Sequence, residues 1–193
     1  MNLIPRSFFS KNALLVAPLL IGKILLVNSK MGKVSGRITE VEAYLGFEDA
    51  ASHAFRGETP RNKVMFERGG LAYVYLSYGC HFCFNIVTGP KDQASAVLIR
   101  ALEPITGIDL MRKRRQNENL IELTTGPGKL TQALGITLEH SGLNLCESNI
   151  VKILDDNYEP NHIQQTKRIG ISKAIDLPYR FTAKGSKFLS RKT

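Results

Sequence analysis

The sequence predicts an α+β fold with a curved, mainly antiparallel sheet. Three observations lead there. Strand-like runs follow one another directly, joined by short polar or glycine-containing turns. Helix-like stretches come later and show no regular strand–helix–strand rhythm. The chain has 193 residues, 43% of them hydrophobic, which is enough for a sizeable core in a single domain over 1–193. No internal repeat, linker or composition break divides it.

The elements follow in order. "NALLVAPLLIG", residues 12–22, is apolar and comes after Arg6 and Lys11. It contains Pro18, stops at Lys23, lacks a small-residue cleavage pattern and is too short to span a bilayer. It reads as a short buried helix capped by Ser10, with no membrane role. Strands are expected at 23–28 and 33–44, around a turn at Ser29–Gly32. Residues 46–70 read as loop, with Gly57, Pro60, Gly69 and Gly70. "LAYVYLSYGCHFCFNIVTG" alternates and breaks at Tyr78-Gly79, which predicts a hairpin. "SAVLIRAL", 95–102, is a further strand, and Pro104 is expected to open a helix through "TGIDLMRKRRQ". "TTGPGKLTQALGI", 124–136, is a glycine-rich turn into a short helix ended by Gly135. "LNLCE", "IVKIL", "KRIGIS" and "RFTAK" read as short late strands.

Lysine and arginine number 26 against 17 acids, a net charge of +9. A domain this basic meets an acidic partner, nucleic acid first, or simply carries a solvated basic surface. "RKRR" at 112–115 divides equally between a nucleic-acid patch and a solvated helix face. The three cysteines, Cys80, Cys83 and Cys146, are too few and too odd in number for a disulfide framework, and they fit a reducing, cytoplasmic compartment. "CHFC" at 80–83 lies in an alternating run where its two thiols face opposite ways, so a structural role is expected over zinc or redox chemistry.

The unusual chemistry lies in "TEVEAYLGFEDAASHAFRG", residues 39–57. On a strand Glu40, Glu42 and Tyr44 share one face, while Val41 and Ala43 take the other. His53 follows after an acidic turn. A solvated strand face would explain two glutamates, but not the tyrosine that continues the row. A metal site would need a third or fourth ligand, and none accompanies His53. A sugar O-glycosidase needs carboxyls on opposite sides of the scissile bond, whereas these are same-face neighbours. A third option is a single general base that activates water, and it suits release of a base that is already cationic. Tyr73 and Tyr75 share a second strand face, and Tyr78 at the hairpin tip could wedge between bases, as an enzyme acting on an extruded base requires. "GPGK" at 126–129 is no Walker loop, but backbone N–H groups there could hold a DNA phosphate with help from Lys129.

"EVEAYLG", "ASHAFRGETPRN", "YVYLSYG", "FCFNIVTG" and "VLIRALEP" occur in the order found in alkyladenine (3-methyladenine) DNA glycosylases. From about Leu14 to "TAKGS" the chain resembles that family. The resemblance implies a monofunctional base-excision repair enzyme, monomeric, free of cofactor and metal, acting on double-stranded DNA that contains damaged purines. It assigns Glu42 to water activation, Tyr44 and His53 to the two faces of the flipped base, and Tyr75 to the pocket edge. Asn85 would obstruct the 2-amino group of guanine, and Arg100 would lie near the catalytic water. Tyr78 would fill the gap in the duplex, with Cys80 and His81 beside it at the DNA. The implied fold is similar to the C-terminal domain of methionyl-tRNA formyltransferase. Two residues depart from the family pattern. Phe47 stands where proline is frequent, which implies a looser Glu48-Asp49 turn, and Cys80 stands where bacterial relatives often carry methionine.

Overall fold

The computed structural model describes residues 1–191. In chain order the elements are β1 (Asn2–Leu3), α1 (Arg6–Phe9), α2 (Ala13–Leu20), β2 (Ile24–Ser29), β3 (Gly32–Tyr44), β4 (Ala72–Ser77), β5 (His81–Thr88), β6 (Ser95–Thr106), α3 (Ile108–Arg115), α4 (Pro127–Leu134), β7 (Val151–Asp155), β8 (Ile163–Thr166) and β9 (Arg180–Ala183). The sheet runs β1-β7-β2-β3-β6-β5-β4, with β9 paired to β3 and β8 to β9. These pairings are antiparallel, as the alternating runs predict.

β3 organises the site. Its first half, Gly32–Arg37, pairs with β2, and Glu40–Glu42 pair with β9. Its other edge pairs with β6 almost throughout. Val41 and Ala43 enter the main core with Ile38, Ile99 and Leu102, each fully buried. Burying such aliphatic side chains contributes about 1.5–3 kcal/mol each. The opposite face is buried too, and Glu40 and Glu42 are both 0% exposed. A solvated face is thereby excluded. The β3–β6 register steps from Glu40↔Ala101 to Val41↔Ile99 and so skips Arg100. Arg100 is the extra residue of a bulge, a local bend that re-aims a side chain.

Several boundaries differ from expectation. The N-cap of α2 is Asn12, whose side chain accepts from Leu15 N at 3.1 Å; Ser10 instead bonds back to Ser7 O. Pro104 does not open a helix. β6 continues to Thr106, and α3 begins only after Gly107, whose φ is 73°. β5 pairs with β6 only over Ser95–Leu98, so the edge at Pro104 has no neighbour there to miss its absent N–H. "LNLCE" contributes a single bridge, Leu71↔Asn144, and no strand. "KRIGIS" is a loop between β8 and β9, because the Ile169 N–H is spent on a carboxylate. The expected turn, hairpin, late helix and "RFTAK" strand are present. Lys192 and Thr193 lie outside the described residues.

Candidate active site

The β4–β5 hairpin, the end of β3, the loop after it and the loop before β9 surround a cavity of about 440 Å³. Tyr44, His53, Tyr73, Tyr75, Asn85, Arg100, Arg61 and Ile169 are among its walls. Tyr78 stands at its rim, 89% exposed.

Glu42 lies directly behind this wall. Its Oε2 accepts from the Tyr44 hydroxyl at 2.9 Å and from Arg100 Nη1 at 3.1 Å. Its Oε1 accepts from Ile169 N at 2.7 Å. All three donors line the cavity, so the carboxylate is held at its boundary by the groups that shape it. Burial, and then Glu42, push the Tyr44 hydroxyl well above its ordinary pKa. It therefore donates and does not ionise.

Glu40, its neighbour on the same face, is fully committed. Oε1 accepts from Arg100 Nε at 3.0 Å, Arg180 Nε at 2.8 Å and Ser190 Oγ at 2.7 Å. Burial favours the neutral acid, but Arg180, Arg100 and Ser190 outweigh it and hold the carboxyl below its usual range. Arg100 thus bridges a saturated carboxylate and the cavity carboxylate. Burial opposes its charge, but Glu42 and Glu40 raise its pKa further, so it stays a cation.

The aromatic wall is ordered from beneath. His53 Nδ1 lies 2.9 Å from the Tyr73 hydroxyl, and its ring meets Tyr75 edge-on at 4.5 Å. Burial pushes the Tyr73 hydroxyl up to about 12 and Tyr75 further still. His53 keeps an exposed flank, yet loss of water, then the nearby Arg61 guanidinium, lowers its pKa and favours neutral imidazole. Buried Asn62 fixes the loop by donating to His53 O at 2.8 Å and Gly57 O at 3.1 Å. Asn85 is 4% exposed and donates from Nδ2 to Tyr73 O at 3.0 Å, across the strand pair. It therefore has both the backbone bond of a structural residue and a place in the cavity wall.

Asp49 and Arg168 carry the loop on the other side. Both side chains are fully buried. Arg168 grips Asp49 with two nitrogens, donates to Ala43 O at 2.9 Å, and stacks on the Tyr44 ring at 4.6 Å. Asp49 also accepts from Leu45 N and Ala51 N. The turn is therefore tight despite Phe47, which packs edge-on against Phe66 at 5.8 Å. That corrects the looser turn expected from the missing proline.

At the hairpin tip Tyr78 and Gly79 both have positive φ, 50° and 70°, the signature of a tight primed turn. Cys80 and His81 are exposed beside it, and His81 packs against Gly128 at the start of α4. Lys129 is paired with Glu122. In "RKRR", Arg112 pairs with Asp109 and Glu118, Arg114 caps Ala133 O, and Arg115 bonds Gln132. Those arginines hold α3 to its surroundings. Cys83 is buried against Tyr75 and Cys80 is exposed, and the cysteines are free. Among the described residues no three His, Cys, Asp or Glu side chains form a metal-ligand cluster, and no helix is long and apolar enough to cross a membrane.

Sequence reasoning missed Arg61, Asp49, Arg168 and Ile169. The run "KRIGIS" was legible only as a strand, since nothing local shows that its backbone reaches β3, well over a hundred residues away.

The chain matches the family model described as methylpurine-DNA glycosylase (MPG) over residues 7–187. A relative from Methanoculleus marisnigri is 47% identical over 192 residues, covering 98% of this chain and 99% of its own. One from Rhodopseudomonas palustris is 50% identical over 186 residues, covering 96% and 90%. One from Chlorobium phaeobacteroides is 45% identical over 193 residues, covering 100% and 97%. Each bears the name "Putative 3-methyladenine DNA glycosylase".

Proposed function

Because the chain belongs to the methylpurine-DNA glycosylase family, we propose that it is a monofunctional glycosylase that removes alkylated or deaminated purines from duplex DNA with Glu42 as the base. One observation carries the reading. A buried carboxylate, held by Tyr44, Arg100 and Ile169 N, backs an aromatic cavity of about 440 Å³.

The target nucleotide leaves the stack and enters the cavity, and Tyr78 fills the space it vacates. Tyr44 and His53 cover the faces of the base, and Tyr75 closes the edge. Water enters between the sugar and the Glu42 wall and attacks C1′. The N-glycosidic bond breaks, its electron pair leaves with the base, and the water proton passes to Glu42. Arg100 balances the charge of the carboxylate and keeps it aimed. A cationic alkylpurine departs without protonation. Neutral His53 supports stacking without adding positive charge beside a cationic base. No lysine is among the described residues that line the cavity, which supports hydrolysis without a strand-cleaving lyase step.

The enzyme works as one domain over 1–193, a monomer in the cytoplasm, and needs no metal or cofactor. Its sheet is expected to superpose on the C-terminal domain of methionyl-tRNA formyltransferase. The deciding experiment incubates the protein with a duplex carrying one 3-methyladenine, 7-methylguanine, hypoxanthine or ethenoadenine, then applies hot alkali to cleave abasic sites. Product from lesion duplex and none from the free nucleoside is expected. Release from the nucleoside at an equal rate would replace the reading with a nucleoside hydrolase.

A further inference from the structure

The segment Phe188–Arg191 lies past the family match, which ends at residue 187, yet it closes the ionic cluster from behind. Thr39 Oγ1 donates to Phe188 O at 2.6 Å, and Arg180 Nη2 donates to Arg191 O at 2.9 Å. Between them Ser190 N donates to Glu40 Oε2 at 2.6 Å. The Ser190 hydroxyl donates to Glu40 Oε1 at 2.7 Å and accepts from Arg100 Nε at 3.4 Å and Nη2 at 3.3 Å. A hydroxyl has one proton and two acceptor sites, and all are used.

Arg100 needs that hydroxyl. Its Nε serves Glu40, and its Nη1 serves Glu42 and Ile169 O. Its Nη2 has Ser190 Oγ as its acceptor among the described residues. Arg100 is 8% exposed, so water cannot readily replace a lost partner. A guanidinium is planar, and fixing Nη2 fixes where Nη1 points. We propose that Ser190 is a positioning residue for the glycosylase reaction: it locks the Arg100 plane from the C-terminal segment and thereby sets Glu42 Oε2 at the cavity wall. This rests on the reading of Glu42 as the base.

The test measures single-turnover excision of ethenoadenine from duplex DNA, with protein in excess, for the parent, Ser190→Ala, Ser190→Thr and Glu42→Gln. Lesion-duplex affinity is measured in parallel. Ser190→Ala should lower the rate roughly tenfold, about one hydrogen bond to a charged group, with affinity unchanged. Ser190→Thr, which keeps the hydroxyl, should restore most of the rate. In a ¹⁵N spectrum the Arg100 Nε–H should exchange faster in Ser190→Ala, a reading independent of activity. Parent rate and parent exchange in Ser190→Ala, with Glu42→Gln inactive, would overturn the positioning role alone. So would a rate loss matched by lost affinity, or one that threonine does not rescue. An active Glu42→Gln would instead overturn the assignment of the base.

Discussion

The Tyr44 hydroxyl donates to Glu42 Oε2 at 2.9 Å from two places further along the same strand. Period-two alternation puts both side chains on one face, where Glu42 is fully buried and Tyr44 is half-buried at the cavity. One tyrosine therefore offers its ring to the cavity and its hydroxyl to the carboxylate behind it. In the proposed mechanism one side chain thus serves both the stacked base and the group that activates water.

Glu42→Gln keeps the shape and removes the base, so single-turnover excision should fall by about 10²–10⁴-fold with lesion binding retained. Tyr44→Phe keeps the ring and removes one donor. It should cost only roughly tenfold in the same rate. Near-parent excision by the glutamine variant would sink the assignment. A phenylalanine variant as slow as the glutamine one would show that the hydroxyl does more than orient Glu42.

The buried Asp49–Arg168 pair should govern the loop that carries Ile169. Removing one partner of such a pair leaves an uncompensated charge, and Asp49→Ala should destabilise the protein by about 3–5 kcal/mol. Adding Arg168→Met should cost less than the sum of the single changes, since the stranded charge is gone. Urea unfolding of the four proteins makes the cycle. Strict additivity would mean that the two side chains do not act as a unit.

Tyr78 sits at φ 50°, in a region that costs an L-residue roughly 1–2 kcal/mol. Tyr78→Gly relieves that strain but frees the unfolded chain, so thermal stability should stay level or rise slightly. Base flipping should nevertheless weaken, because the void in the duplex goes unfilled. The chain has no tryptophan, so a fluorescent base analogue beside the lesion reports cleanly. If the glycine variant flips bases as well as the parent, Tyr78 is not the wedge.

His53 should titrate below the ordinary value of 6.5, chiefly through lost water and then through Arg61. Arg61→Ala should raise its midpoint without restoring the ordinary value, since the larger cause remains. The sign for stability follows. The unfolded chain binds the proton more readily, so the contribution of neutral His53 is intact above 6.5 and is lost as pH falls through the folded midpoint. An NMR titration with a midpoint at or above 6.5 would overturn this environment.

Alternation made β3, the β4–β5 hairpin and β6 legible, because their faces differ chemically and their turns carry polar residues or glycine. The same alternation made Glu40 and Glu42 look equivalent. Only tertiary partners separate them: Glu40 is saturated by Arg180 and Ser190, whereas Glu42 faces Tyr44 and Ile169. Nor could local pattern reveal the bulge at Arg100, since one extra residue leaves a hydrophobic run looking continuous. The pairing of Lys129 with Glu122 was not legible either, because Glu122 lies in a short 3₁₀ segment that propensity does not signal.

We propose that Asn85 sets how the cavity chooses its base. Stacking alone cannot, since every base has a π-face. Its Nδ2 is tied to Tyr73 O at 3.0 Å, which fixes the amide plane and leaves Oδ1 as the free polar end of a side chain that lines the cavity. A guanine-derived base carries a 2-amino group that adenine-derived bases and hypoxanthine lack, and a rigid amide in that place excludes it by bulk. Asn85→Ser shortens the side chain and frees Tyr73 O. The exclusion should relax, raising excision of 7-methylguanine relative to ethenoadenine. A modest loss of stability, about 1 kcal/mol for one lost backbone bond, should accompany it. The measurement is the ratio of single-turnover rates on the two duplexes, variant against parent. If the ratio holds while stability falls, Asn85 serves the hairpin through Tyr73, and selection passes to how readily each base departs.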